Sequence, residues 1–279
     1  MAEITQETAY GVLNVHGWRK DTMQAAADLG VELMATAQPR AEFVEFEGCR
    51  SYLKGGPLRE KTALRFALAR RVLRRKVPRI REYNNLSWLI ERHFQAVLPF
   101  AAGVFVEGGL PRFQYLLTQA VEDGVRLDDH LLQCHATDRM PVLRELAREM
   151  ARMHSLGFLH HDLYPRNLLV RPEGRDRRIV FLDAWAGGPP TQLRRPAYDL
   201  GALFLEGADL FKVEEQREFF AIYFEQRQAQ GRPAKVERTL AAVARQRERL
   251  RQQLVRDPSR RRGRALPSAS WSGPAPNMD

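Results

Sequence analysis

Apolar positions along the chain begin without a clear period and then fall into two regimes. Within residues 1–30 only Trp18 to Leu29 suggests a short helix, which Gly30 would close. Val31 to Thr36 reads as a first strand, and Ala41-Glu42-Phe43-Val44-Glu45-Phe46 alternates with period two, sending successive side chains to opposite faces of a sheet. Glu47-Gly48 supplies a hairpin turn, Cys49 to Lys54 the returning strand, and Gly55-Gly56-Pro57 a break. The turn between the first two strands would be Ala37-Gln38-Pro39-Arg40, which contains no glycine.

From there the period lengthens. Leu58 to Lys76 reads as a basic helix with Leu64, Leu68, Val72 and Leu73 on its apolar side, and Pro78 parts it from a second helix, Arg81 to His93. Glu82 precedes Leu86 and Leu89 by four and seven residues, so it shares their inward face. Ala96 to Val106 and Phe113 to Gln119 are strand-like on either side of Glu107-Gly108-Gly109, and Leu127-Asp128-Asp129 starts a short helix with carboxylates in its first turn. Pro141 opens a helix bearing Val142, Leu143, Leu146, Met150, Met153 and His154. Val213 to Gln228 is helical, and Val236, Leu240, Val243, Leu250 and Leu254 stripe a last, very basic helix; from Asp257-Pro258 the end reads as disordered.

Charge sharpens this picture because it is uneven. Arg59 to Arg81 carries ten Lys/Arg against one Glu, and Arg232 to Arg264 twelve against three acids, on a chain of 279 residues with net charge +10. The remainder is therefore acidic, and two basic segments on an acidic body suit an extended anionic partner: a phosphorylated glycolipid at a membrane surface, or nucleic acid as the lesser candidate. No run of eighteen apolar residues could span a bilayer, and Met1-Ala2-Glu3-Ile4-Thr5 lacks the layout of a signal peptide, so a cytoplasmic location is expected. Cys49 and Cys134 are too few for a disulfide framework or a metal cage.

The chemistry is concentrated in Gly157 to Val170. His160-His161-Asp162 is followed five residues after the aspartate by Asn167, and sixteen residues later the run Ile179-Val180-Phe181-Leu182 ends in Asp183. Phosphoryl transfer needs a carboxylate beside the attacking hydroxyl and oxygen ligands that hold magnesium against a triphosphate. Asp162 would be the base, and Asn167 and Asp183 the magnesium ligands. Lys54 is the one lysine of the hairpin that could pair with nucleotide phosphates, and Glu82 is the carboxylate best placed to orient it, with Glu60 and Glu91 as rivals. Gln119 to Val121 would form a hinge whose backbone faces the adenine. Asp199, early in a helix, would accept hydrogen bonds from the loop.

These residues resemble the bacterial lipopolysaccharide core kinases of the Kdo/WaaP family, within the protein-kinase-like superfamily. The likeness runs from Val31 to Phe204 and rests on Ser51-Tyr52-Leu53-Lys54-Gly55-Gly56, Arg81-Glu82-Tyr83-Asn84, Leu117-Thr118-Gln119-Ala120-Val121, His160-His161-Asp162-Leu163-Tyr164, the Asp183 strand and Arg194-Arg195 before Asp199. It implies an α+β, two-lobed kinase fold. The expected division is a nucleotide-binding lobe over 1–121, a catalytic lobe over 122–231, a basic amphipathic helix over 232–257 and a tail over 258–279. It further implies an enzyme using ATP and Mg2+ to phosphorylate a Kdo or heptose hydroxyl, in peripheral contact with the cytosolic face of the inner membrane. Pro165-Arg166-Asn167 is similar as well to aminoglycoside and choline phosphotransferases, so a small-molecule or protein kinase is one alternative. The missing glycine loop motivates another, a pseudokinase that binds anionic partners. Asp199 comes only sixteen positions after Asp183, with no Ala-Pro-Glu between them, which leaves little room for a peptide platform.

Overall fold

In the computed structural model, which describes residues 2–73, 76–172, 179–189, 195–261 and 267–268, the stretch without a clear period is a β-hairpin, β1 (Ala2–Thr8) and β2 (Gly11–Gly17). Helix α1 (Met23–Thr36) follows and corrects two expectations: Gly30 does not end it, and Val31 to Thr36 is not a strand. Met23, Ala26, Ala27, Gly30 and Leu33 recur at helical spacing and are buried. Glycine at 30 serves close packing, since a Cβ there would lie 2.7 Å from the Tyr115 ring, whose hydroxyl donates to the Ala26 carbonyl at 2.5 Å. Ala37, at φ 50°, ends the helix, so Ala37 to Pro39 joins a helix to β3 (Arg40–Phe46), not strand to strand.

A turn of two residues, Glu47 and Gly48 at φ 50° and 70°, joins β3 to β4 (Cys49–Pro57), the pattern of a type I′ hairpin. The expected break at Gly55-Gly56-Pro57 is absent, because β4 continues through them to pair with Tyr115, Gln114 and Phe113. A Cβ at Gly55 would sit 3.4 Å from Tyr115 Cβ, so the glycine admits a close neighbour within the strand. Helices α2 (Glu60–Leu73) and α3 (Pro78–Glu91), the latter with proline at its favoured first turn, precede β5 (Pro99–Glu107) and β6 (Leu110–Gln119). The six strands order as β1-β2-β5-β6-β4-β3, all antiparallel, with β3 at one edge. One face packs on α1 through Leu13, Val15, Leu53, Phe105 and Leu117. On the other, Ala102, Val104 and Leu116 meet Val77, Ile80 and Tyr83. These residues, Met1–Glu122, form one compact unit together with Asp183–Ala186.

The second unit, Asp123–Leu182 and Gly187–Asp279, is mainly helical. It comprises β7 (Val125–Arg126), α4 (Leu127–Gln133), α5 (Ala136–Ser155), β8 (Leu168–Val170), β9 (Ile179–Phe181), α6 (Pro196–Leu203), α7 (Val213–Ala229) and α8 (Val236–Arg256). Contrary to expectation α5 starts at Ala136, ahead of Pro141. Its first turn is anchored by buried Arg139, which holds Glu215 of α7 at 2.6 and 2.8 Å and the Leu210 carbonyl at 2.7 Å. The stripe of α8 is buried at Leu240, Val243 and Leu250 against α6, where Leu250 joins Ala202 and Leu205, with Tyr164, Tyr198 and Leu254 packed alongside. Its arginines Arg238, Arg245, Arg249 and Arg256 remain exposed.

Part of the expected disordered tail is ordered. Pro258–Arg261 is a 3-10 turn, and the Ser268 carbonyl accepts from buried Arg247 at 2.7 Å; most of 262–279 lies outside the described residues. The side chains of Arg65, Arg70, Arg71, Arg74 and Arg75, half the cations of the basic insert, lie outside them too. No helix among the described residues is long and apolar enough to cross a membrane. An antiparallel sheet with helices in the N-terminal part and helices in the C-terminal part is the fold class expected from the sequence.

Candidate active site

In the first unit, strand β4 carries Lys54 on the face of Leu116, because the two are cross-strand partners. Its ammonium lies 3.0 Å from Glu82 Oε1 and also holds the Asp183 carboxylate. The fold thus brings to Lys54 two side chains that are 28 and 129 residues from it in sequence. Glu82 has only 1% of its side chain exposed and is shared with Arg79, whose Nη1 lies 2.6 Å from Oε2. A carboxylate so deeply buried requires partners, and the two cations provide them. Neither rival, Glu60 or Glu91, takes this place.

The segment after Asp183 is gripped from α3. Asn85 Nδ2 donates to the Ala184 carbonyl at 2.6 Å, and Arg81 donates to the Ala186 carbonyl at 3.3 Å. Asp183 itself stands at φ 53°, a left-handed backbone that costs an aspartate about 1 kcal/mol and persists where its surroundings hold it.

In the second unit a different arrangement fixes the loop. His160 and His161 donate their backbone N–H groups to the two oxygens of Asp199, each at 2.7 Å, which is the supporting role its place in the sequence suggested. Asp199 is wholly buried and also faces His154 Nε2 at 3.3 Å; Tyr223 lies 2.8 Å from His154 Nδ1. Burial alone would push the Asp199 carboxyl up, but its bonds to His154 and to the His160 N–H outweigh it and hold it below the ordinary range. His161, at φ 63°, stacks on Tyr198 with centroids 4.0 Å apart. Burial first, and the nearby Tyr164 and Asp162 after it, raise the Tyr198 hydroxyl above its usual range.

The same loop joins Asp162 to Asn167, whose Nδ2 donates to the Asp162 carbonyl at 2.7 Å within a 3-10 turn, Pro165–Asn167. With its nitrogen so spent, the amide keeps its oxygen as an acceptor. Each in its own unit, the Asn167 amide and the Asp183 carboxylate carry oxygen of the hard kind that suits magnesium. Among the described residues no three His, Cys, Asp or Glu side chains form a protein-only metal cage. Gln119 ends β6, and its N–H donates to the Leu98 carbonyl at 2.8 Å; the Ala120 N–H donates to the Arg50 carbonyl at 2.9 Å, so both amides are engaged within the first unit. Val121 follows, half-buried.

Three supporting residues escape a sequence reading: Arg79, His154 and Tyr223. Only Arg79 left a signal, a cation one helical turn before Glu82.

Comparison with known proteins gives these clusters a context. The family model described as lipopolysaccharide kinase (Kdo/WaaP) family matches residues 60–196, a span that contains Glu82, Asp162, Asn167 and Asp183 and stops short of Lys54. A solved structure of WaaP in complex with acyl carrier protein aligns with a TM-score of 0.55 at 18% identity, covering 79% of this chain and 92% of that one. Another, of a divergent kinase lacking the glycine-rich loop that regulates membrane ultrastructure of the Toxoplasma parasitophorous vacuole, aligns with a TM-score of 0.40 at 12% identity, over 78% and 83% of the two chains. No curated protein matches the chain. The match to WaaP is one of fold, the protein-kinase-like fold, and the resemblance to the Kdo/WaaP family read from the sequence is borne out.

Proposed function

From the Kdo/WaaP family match and the protein-kinase-like fold, we propose that the chain is an ATP-dependent kinase acting on a sugar hydroxyl, Kdo or heptose, of the lipopolysaccharide inner core. The observation that carries this reading is Lys54 held between Glu82 and Asp183, a cation fixed where a triphosphate would meet its metal ligand. Glu82, itself pinned by Arg79, keeps the Lys54 ammonium oriented toward the phosphates. Asp183 and Asn167 would hold magnesium, which when bound neutralises phosphate charge as the terminal group moves. Asp162 accepts the proton of the acceptor hydroxyl, and Asp199 maintains the backbone that carries it. Positioning and electrostatics supply the rate, since the chemistry needs no covalent intermediate on the protein.

A phosphorylated glycolipid acceptor suits the basic segments, and the exposed Arg238, Arg245, Arg249 and Arg256 along α8 give a peripheral contact with an anionic inner-membrane surface a chemical basis, on the cytosolic side. The test is to incubate the purified protein with labelled ATP, magnesium and lipopolysaccharide lacking core phosphate. Label should enter the lipid fraction, and cells without the protein should yield core oligosaccharide lighter by one phosphate. Label in protein or in a soluble alcohol instead would support the alternative kinase readings, and no magnesium-dependent nucleotide binding would support the pseudokinase.

A further inference from the structure

The loop that carries Asp162 also carries a cation that the mechanism leaves unused. Arg166 comes four positions after Asp162, and the backbone between them is closed on itself: the Tyr164 N–H donates to the Asp162 carbonyl at 2.9 Å, and the Asn167 N–H to the Tyr164 carbonyl at 2.8 Å. Pro165, whose ring fixes its own φ, opens the 3-10 turn that contains Arg166. The side chain is steadied as well. Its guanidinium lies over the Tyr164 ring, 4.0 Å from the centroid, and that ring packs in turn on Ala202, Leu205 and Leu250. A guanidinium held on an aromatic face keeps its charge and its planar fork of N–H donors, which matches two oxygens of a carboxylate or a phosphate.

We propose that Arg166 sets acceptor specificity by pairing with an anionic group, carboxylate or phosphate, that the acceptor sugar bears near the hydroxyl to be phosphorylated. This rests on the sugar-kinase reading and adds to it what the accepted sugar must carry. The nucleotide phosphates already have a fixed cation in Lys54, on a strand of the other unit. Arg166 instead shares one closed loop with Asp162, the group that meets the acceptor hydroxyl, so its charge is placed relative to that hydroxyl. Kdo carries a carboxylate and unsubstituted heptose carries no anion, so this one contact would separate the two sugars.

The test measures phosphate transfer by the full chain from magnesium–ATP to four acceptors: a methyl glycoside of Kdo, its carboxamide, a methyl heptoside, and that heptoside bearing a phosphate. The wild type should prefer an anionic acceptor to its neutral counterpart roughly 10- to 100-fold in KM, the worth of a charge-assisted contact. Arg166→Gln should lose that preference and keep the wild-type KM for ATP. The pair on which the preference appears and is lost identifies the anion as carboxylate or phosphate. Arg166→Lys, which keeps the charge without the fork, should retain part of the preference. Because Arg166 is only half-buried, both variants should melt with the wild type. A preference that survives in Arg166→Gln, an equal loss on the neutral acceptors, or a raised KM for ATP alone would overturn the proposal and leave the sugar-kinase reading standing. Transfer to none of the four sugars by the wild type would overturn both.

Discussion

In the first unit the key side chains meet as charges: Glu82 lies between Lys54 and Arg79, and Lys54 between Glu82 and Asp183. In the second unit the loop is fastened by its backbone, two N–H groups on one buried carboxylate that His154 and Tyr223 back from behind. The difference concerns what each arrangement can lose. The charge cluster can lose Glu82 and keep its fold, since Lys54, Arg79 and Asp183 are partly solvated and Lys54 still has Asp183. A backbone clamp loses its geometry as a whole, because two buried donors are orphaned at once.

The comparison can be tested where each cluster is most dependent on one group. Asp162→Ala removes the proposed base and should lower kcat roughly 10²- to 10⁴-fold while nucleotide affinity, measured by calorimetry, stays put. A variant that still turns over at the wild-type rate would remove Asp162 from the mechanism. Asp199→Asn should cost roughly 2 to 4 kcal/mol of unfolding free energy in urea melts, and lower kcat with it. It also has a pH signature. The Asp199 carboxyl lies below its ordinary range in the folded chain, so its stabilisation is complete above the unfolded value near 4 and is lost as pH falls through the folded one. The wild type should therefore lose melting temperature on acidification below about pH 4, and Asp199→Asn should show a shallower loss.

Glu82→Gln keeps a hydrogen-bonding group but removes the charge that Lys54 and Arg79 share. We expect nucleotide affinity to fall roughly 10- to 100-fold with little change in melting temperature, the reverse of the Asp199 pattern. If the melting temperature fell as far as in Asp199→Asn, the contrast between the two regions would be wrong. Tyr223→Phe, which removes one hydrogen bond behind His154, should cost about 1 kcal/mol and mark the limit of the clamp.

Much of this was legible from residue spacing. The alternation of 41–46, the Glu47-Gly48 turn, Glu82 on the Leu86 and Leu89 face, and the interval from Asp162 to Asn167 and Asp183 each express local geometry. What stayed hidden was set by packing between distant segments. Val31 to Thr36 is helical because Gly30 lets α1 settle against Tyr115, 85 positions later in the chain, and no local period announces that. Gly55-Gly56-Pro57 looked like a break because glycine and proline usually are, but here the glycines admit the neighbouring strand. The first hairpin turns at Ala9-Tyr10, residues without turn chemistry, and His154 and Tyr223 become partners only once α5 and α7 lie side by side.

Leu250 and Leu254 of α8 lie under Tyr164 and Tyr198, the two tyrosines that flank the loop of Asp162. The arginine-rich helix is therefore the floor on which that loop rests. A chain truncated before Val236 would retain every residue assigned to phosphoryl transfer and still leave both rings unsupported, so the catalytic unit extends to the far end of α8.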